Sequence, residues 1–165
     1  MTRENYEIIG EEFEIIDDEL EIKIRSKLEF LDKDCFPDGS LRYETYRKGE
    51  KLHGPSTYYG KNGEILSRSW FYEGKKVGKT WRYYPNGKLY GLERFVDGVP
   101  HLVHEYYYID GSVKTIIPFG KGKYHGKTQL FWPDGSRKRE CLFEMGQKIE
   151  DRFYNEKGIL ADTLS

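Results

Sequence analysis

One glycine recurs at a fixed step through most of the chain. Gly39, Gly63, Gly87, Gly111 and Gly135 stand 24 residues apart, each preceded by Asp or Asn. Three further columns keep that step: Phe71, Phe95, Phe119 and Phe143; Gly74, Gly98, Gly122 and Gly146; and the aromatic pairs Tyr83-Tyr84, Tyr107-Tyr108 and Phe131-Trp132. A period of this length marks one supersecondary unit copied in line, which cannot bury its apolar face alone and must stack on its neighbours. A conventional central core is therefore not expected.

The best-kept copies show what the unit is. Phe36-Pro37-Asp38-Gly39, Tyr84-Pro85-Asn86-Gly87 and Trp132-Pro133-Asp134-Gly135 each read as a reversal, with Pro fixing φ at the first position and Gly supplying the left-handed residue that closes a hairpin with a bulge. Eight or nine residues later comes a second reversal, such as Gly74-Lys75-Lys76-Val77-Gly78 or Gly122-Lys123-Tyr124-His125-Gly126. Each unit is thus two antiparallel strands and two tight turns. The fold class is all-β: an elongated antiparallel β-meander of about five 24-residue hairpin repeats plus a degenerate N-terminal strand segment. Ten to thirteen strands, about 50 to 60 Å in all, are expected from the usual strand spacing.

The departures from the pattern carry their own expectations. Gly49 follows Gly39 by ten residues rather than eleven, which reads as a deletion offset by an insertion at Gly60-Lys61-Asn62-Gly63. Leu102 and Glu150 replace the second-turn glycine, Pro118 should interrupt ladder hydrogen bonding, and the register slips by two residues after Tyr154. Full repeats run from about residue 37 to 154, within an array spanning 20–165. Residues 1–19 form an acidic leader without the repeat. Between Leu20 and Phe30 apolar residues alternate with charged ones, as in a strand, although Leu20, Ile24, Leu28 and Leu31 also share one helical stripe.

Composition agrees with half-wet strands: 14 Tyr, 9 Phe and 3 Trp beside 33% charged residues. The net charge of -1 conceals an asymmetry. Residues 1–22 hold nine acids against Arg3, leaving 19 acids against 26 Lys and Arg, or +7, over residues 23–165. Neither an apolar membrane-length window nor a secretory signal is present, so the expected compartment is the cytoplasm. Cys35 and Cys141 are separated by about eight strands, some 40 Å, too far for a disulfide.

The turn-strand-turn-strand grammar of Tyr72-Glu73-Gly74-Lys75-Lys76-Val77-Gly78-Lys79-Thr80-Trp81-Arg82-Tyr83-Tyr84, repeated at Gly122 to Trp132, resembles the variant form of the MORN repeat over about residues 36–160. The resemblance implies an elongated sheet, sometimes dimeric, used as a binding surface without catalysis. Proteins with such repeats include bacterial chains labelled as antitoxins and eukaryotic scaffolds that bind proteins or acidic phospholipids.

No catalytic or metal constellation emerges, and no cofactor is expected. His53 and His125 hold matching positions before Gly54 and Gly126, where a turn role is expected. His101-Leu102-Val103-His104 has metal-like spacing but only Glu105 beside it. Glu44, Glu93 and Glu140 lie near Arg or Lys, as in cross-strand ion pairs. The leading function is a non-enzymatic protein-binding module, in its concrete form an antitoxin, immunity-type or scaffold protein, with Trp70, Tyr72, Trp81 and Tyr90 as contact candidates. The alternative is attachment to acidic lipid or nucleic acid through Lys75, Lys76, Lys79, Lys121, Lys123, Lys127, Arg137, Lys138 and Arg139. Homodimerisation through an end strand is a third possibility, and no small-molecule substrate is expected.

Overall fold

A computed structural model describes residues 30–161. The leader and the Leu20–Phe30 alternation fall outside these residues, apart from Phe30 itself. The strands are β1 (Phe30–Cys35), β2 (Leu41–Lys48), β3 (Lys51–Tyr59), β4 (Ile65–Tyr72), β5 (Lys75–Tyr83), β6 (Leu89–Val96) and β7 (Val99–Pro100), then β8 (Leu102–Tyr107), β9 (Val113–Gly120), β10 (Lys123–Tyr124), β11 (Gly126–Phe131), β12 (Arg137–Glu144), β13 (Gln147–Tyr154) and β14 (Leu160–Ala161). They form one antiparallel sheet in sequence order, with no helix among the described residues. The 14 strands exceed the expected thirteen because two returning strands are each broken in two, β7 from β8 at His101 and β10 from β11 at His125.

The first turn is built as its sequence requires. Tyr84 N–H donates to Lys88 O at 2.8 Å and Gly87 N–H to Tyr84 O at 2.9 Å, enclosing Pro85-Asn86-Gly87 with Gly87 at φ 82°. The Asn86 side chain accepts Lys88 N–H at 3.1 Å. In three other copies the equivalent acid, Asp38, Asp110 or Asp134, also accepts a serine hydroxyl at 2.6 Å, and these bonds lower its pKa.

The second turn is shorter than the five-residue motif implied. Glu73-Gly74, Asp97-Gly98, Lys121-Gly122 and Met145-Gly146 are two-residue loops with both residues at positive φ, the type I′ geometry that matches strand twist. The glycine four residues on does something else. Gly54, Gly78 and Gly126 take positive φ inside the returning strand, where the register against the strand before slips by two residues. That glycine shapes a bulge rather than closing a reversal. Each lies directly opposite a member of the phenylalanine column: Gly54 against Phe71, Gly78 against Phe95 and Gly126 against Phe143. Phe119 instead faces Leu102, which is forced to φ 56°.

The register corrects the expected deletion and insertion. Lys48 pairs with Lys51 across Gly49-Glu50 just as Tyr72 pairs with Lys75 one period later. Here only Gly49 has positive φ, as in a type II′ turn, so the glycine has moved from the second turn position to the first and nothing is missing. Gly60 likewise takes the place of Tyr84, accepting Gly63 N–H at 3.0 Å and donating to Glu64 O at 2.8 Å. The final slip is one residue rather than two. It arises in the β12–β13 bulge, where the register moves by one between Phe143–Lys148 and Leu142–Glu150, so the left-handed residue that Glu150 would have supplied is not needed. Pro118 leaves β9 continuous, because it lies beside the bulge at Gly126, where a Cβ would come within 3.2 Å of its ring.

Three of the second turns also dock on the hairpin before them. Gly74 N–H reaches Leu52 O at 2.7 Å, Gly98 N–H reaches Lys76 O at 2.8 Å and Gly146 N–H reaches Tyr124 O at 2.7 Å. His53 Nδ1 accepts Glu73 N–H, and His125 Nδ1 accepts Met145 N–H, which gives the paired histidines their role. The central rows hold few apolar residues. Val77, Leu92 and Cys141 are the buried hydrophobics among the described residues, while Thr45, Ser56, Ser69, Thr80, Glu93, His104, Thr128 and Glu140 are buried polar ones.

Candidate binding faces

Residues paired across a ladder, and those two apart along a strand, share a face. One face carries Thr45, Ser56, Ser69, Thr80, Glu93, His104 and Cys141 along its centre. Its N-terminal half is small and hydroxylic. There a groove of about 410 Å³ crosses β2 to β5, floored by Thr45, Ser56, Ser67 and Ser69 and flanked by Tyr43, Tyr58 and Phe71. Three cations line it, Arg47, Lys76 and Arg82, and no carboxylate does.

Farther along the same face, larger residues fill the equivalent columns. Gly91 lies opposite Tyr106, whose ring occupies the space a side chain would need. The Tyr106 hydroxyl donates to Glu93 at 2.8 Å, and Arg82 binds the same carboxylate with Nε at 2.8 Å and Nη2 at 3.2 Å. Burial opposes the charge on Glu93, but these bonds prevail and keep its pKa below the ordinary value. Burial first, and then Glu93, pushes the Tyr106 hydroxyl far up.

Beyond this cluster runs an aromatic file. Phe95, His104, Phe119, Tyr124 and Phe143 follow one another at ring separations of 5.3, 4.5, 5.1 and 5.2 Å. His104 Nε2 lies 2.8 Å from Arg94 O, and burial lowers its pKa. These contacts assign it to packing. Among the described residues no group of three or more His, Cys, Asp or Glu could hold a metal. At the far end Arg139 binds Asp151 through two bonds of 2.8 and 2.6 Å, holding that carboxyl far below its usual range.

The opposite face brings together three of the four aromatic contact candidates. Trp70 and Tyr72 lie two apart on β4, and Trp81 pairs with Arg68 beside them. All three are half-buried. Tyr72 packs on His53 at 5.1 Å, and Lys79, itself buried, lies 5.7 Å from the Trp81 ring. Tyr90 does not join them. It occupies a bulge of β6, between the pairs Arg82–Gly91 and Tyr83–Leu89, and its ring meets Tyr84 at 5.2 Å and Tyr106 at 5.9 Å.

The basic candidates are dispersed. Lys75, Lys121 and Lys123 border the second turns, and Lys76 lines the groove. Lys127 and Arg137 approach buried Glu140 at 3.7 and 3.8 Å, Lys138 covers Trp132 at 4.3 Å, and Arg139 is held by Asp151. The expected carboxylate pairs are present: Glu44 with Lys33 at 3.7 Å, Glu93 with Arg82 and Glu140 with Lys127. Sequence reasoning did not find the serine-floored groove. Its signal lay in the column Thr45, Ser69, Glu93, Ile117, Cys141, whose members are small where the groove opens.

The fold and faces define an open antiparallel repeat sheet. Residues 76–97, one hairpin from β5 through the Tyr84–Gly87 turn to Asp97, match the model of the MORN repeat variant family. No curated protein matches the chain. Among the described residues no helix is long and apolar enough to cross a membrane.

Proposed function

We propose that this protein is a non-catalytic protein-binding module, acting in the cytoplasm, whose partner lies on the sheet. One observation carries the reading: a MORN-variant array one sheet deep, in which little apolar side-chain surface is buried and the two faces remain as surface. Trp70, Tyr72 and Trp81 stand half-buried on one face of β4 and β5, and aromatic residues of this kind anchor protein interfaces. An antitoxin, immunity-type or scaffold role is the concrete form of this reading, since each works by occlusion or assembly.

Affinity purification of the tagged full chain from its native cell, followed by mass determination of the eluted complex, tests it. A stoichiometric protein is expected, with Trp70→Ala and Trp81→Ala each weakening retention at least tenfold. An intact array that repeatedly retains no protein refutes the reading. A salt series with acidic vesicles and with an oligonucleotide separates it from electrostatic attachment, which must weaken steeply as salt rises. Light scattering over a concentration range reports whether the end strands self-associate.

A further inference from the structure

The groove across β2 to β5 is not explained by the architecture, which elsewhere fills the columns of Ser67 and Ser69 with Glu93, Ile117 and Arg139, or covers Gly91 with the Tyr106 ring. Its floor is unfinished in a specific sense. Thr45 is 5% exposed and lines the groove, yet its hydroxyl has no hydrogen-bond partner among the described residues. A buried hydroxyl left unpaired is unfavourable, and a rotation of the Thr45 side chain would offer it to a polar ligand. Ser69 already accepts the Thr80 hydroxyl at 3.1 Å.

The walls set the ligand's charge. Arg82 is committed to Glu93, while Arg47 donates to Glu50 O at 3.0 Å and meets its nearest carboxylate, Asp32, at 3.5 Å. Lys76 makes no salt bridge among the described residues; its ammonium sits 4.6 Å from the Phe95 ring, and burial lowers its pKa despite the influence of Glu93. An anion placed in the groove would supply the counter-charge Lys76 lacks.

Spacing selects among anions. Arg47 is on β2 and Lys76 on β5, three strand steps or about 14 Å apart. Their charged ends diverge, Arg47 towards Asp32 on β1 and Lys76 over Phe95 on β6, so a single phosphate or carboxylate does not bridge them. An extended peptide with two carboxylates four residues apart spans about 13 Å and can. Leu52, Tyr58 and Phe71 offer apolar surface to the residues between.

We propose that this groove binds an extended acidic segment of a protein partner, one carboxylate on Arg47, another on Lys76, with polar backbone groups over the Thr45 and serine floor. The proposal rests on the protein-binding reading and assigns it a second contact, on the face opposite the tryptophans.

The test uses the full chain and a labelled, end-blocked peptide Glu-Leu-Ser-Leu-Glu, followed by fluorescence anisotropy and by amide shifts. Binding should perturb Thr45, Ser56, Ser67 and Ser69. Replacing both peptide glutamates by glutamine should weaken it at least tenfold, as should Lys76→Gln. Ser67→Tyr should also block it; Tyr43 occupies that column one period earlier, so the fold accommodates the ring. Equal binding of the Glu and Gln peptides, or shifts confined to the tryptophan face, overturns the proposal. So does a decameric oligonucleotide that binds the same amides more tightly than the peptide, because the groove would then be a nucleic-acid site. If the peptide fails while Trp70→Ala still releases a co-purified protein, the groove assignment falls and the protein-binding reading stands.

Discussion

Gly91→Ala should cost far more than a strand glycine ordinarily would, because the missing side chain is occupied space. A Cβ at residue 91 would lie 2.8 Å from Tyr106 Cδ1 and 3.1 Å from Cε1, distances that force the ring to move. The ring is tethered at both ends, by the β8 backbone and by its hydroxyl on Glu93, and cannot slide without stretching that bond. Losing a hydrogen bond to a charged group costs about 1.5 to 3 kcal/mol, and disturbing the Tyr90–Tyr106 contact about 0.5 to 1.5 more. Replacing strand glycine by alanine returns about 0.5 to 1. The net expectation is a loss of about 1 to 4 kcal/mol in urea unfolding, followed by tryptophan fluorescence and far-ultraviolet circular dichroism. In a Tyr106→Phe background the ring has no bond left to defend, so the same substitution should cost at least about 1 kcal/mol less. A cost below about 0.5 kcal/mol, or an equal cost in both backgrounds, refutes the reasoning.

Three further outcomes follow from the same contacts. His104 has a folded pKa below the ordinary value of about 6.5, so its contribution is complete above that pH and is lost as pH falls from there through the lower folded pKa; Glu93, also lowered, adds a second loss on acidification below about 4.5. Melting temperature should therefore fall between pH 7 and 5, and His104→Gln should remove that upper stage. Gly126→Ala combines φ 100° with a 3.2 Å approach to Pro118 and should destabilise by about 1 to 3 kcal/mol, only partly relieved by Pro118→Ala, as read from urea midpoints. A thiol reagent should modify one cysteine of the native protein: Cys35 is exposed, while Cys141 is buried and its thiol is pushed up by burial and then by Asp151. Modification of both at equal rates contradicts that burial.

The hairpins could be read from the sequence because local chemistry determines them. Pro85-Asn86-Gly87 specifies its turn with no help from distant residues, and the exact period carries that inference to its copies. What escaped was whatever depended on register. The spacing of Gly49 looked like a lost residue because a glycine can serve either position of a two-residue loop, and only the pairing of Lys48 with Lys51 reveals which. Gly78 and Gly126 read as turn residues in the sequence because a bulge glycine and a turn glycine share one backbone requirement. The opposition of Gly78 to Phe95, 17 positions on, was a detectable signal of the bulge. The groove was harder to see, since an absence of bulk acquires meaning only once neighbouring columns are known to share a face.

The hydrogen bond from Gly74, Gly98 and Gly146 to a carbonyl of the hairpin before each, as in Gly98 to Lys76, gives the array a direction. Where that bond is made, a unit leans on its predecessor and offers an equivalent seat to its successor, so 24-residue stretches bounded by such turns present interchangeable joints. Excising or duplicating one such stretch in the middle recreates a native junction at the seam, which makes molecular length something a single genetic event can adjust without new packing having to be found.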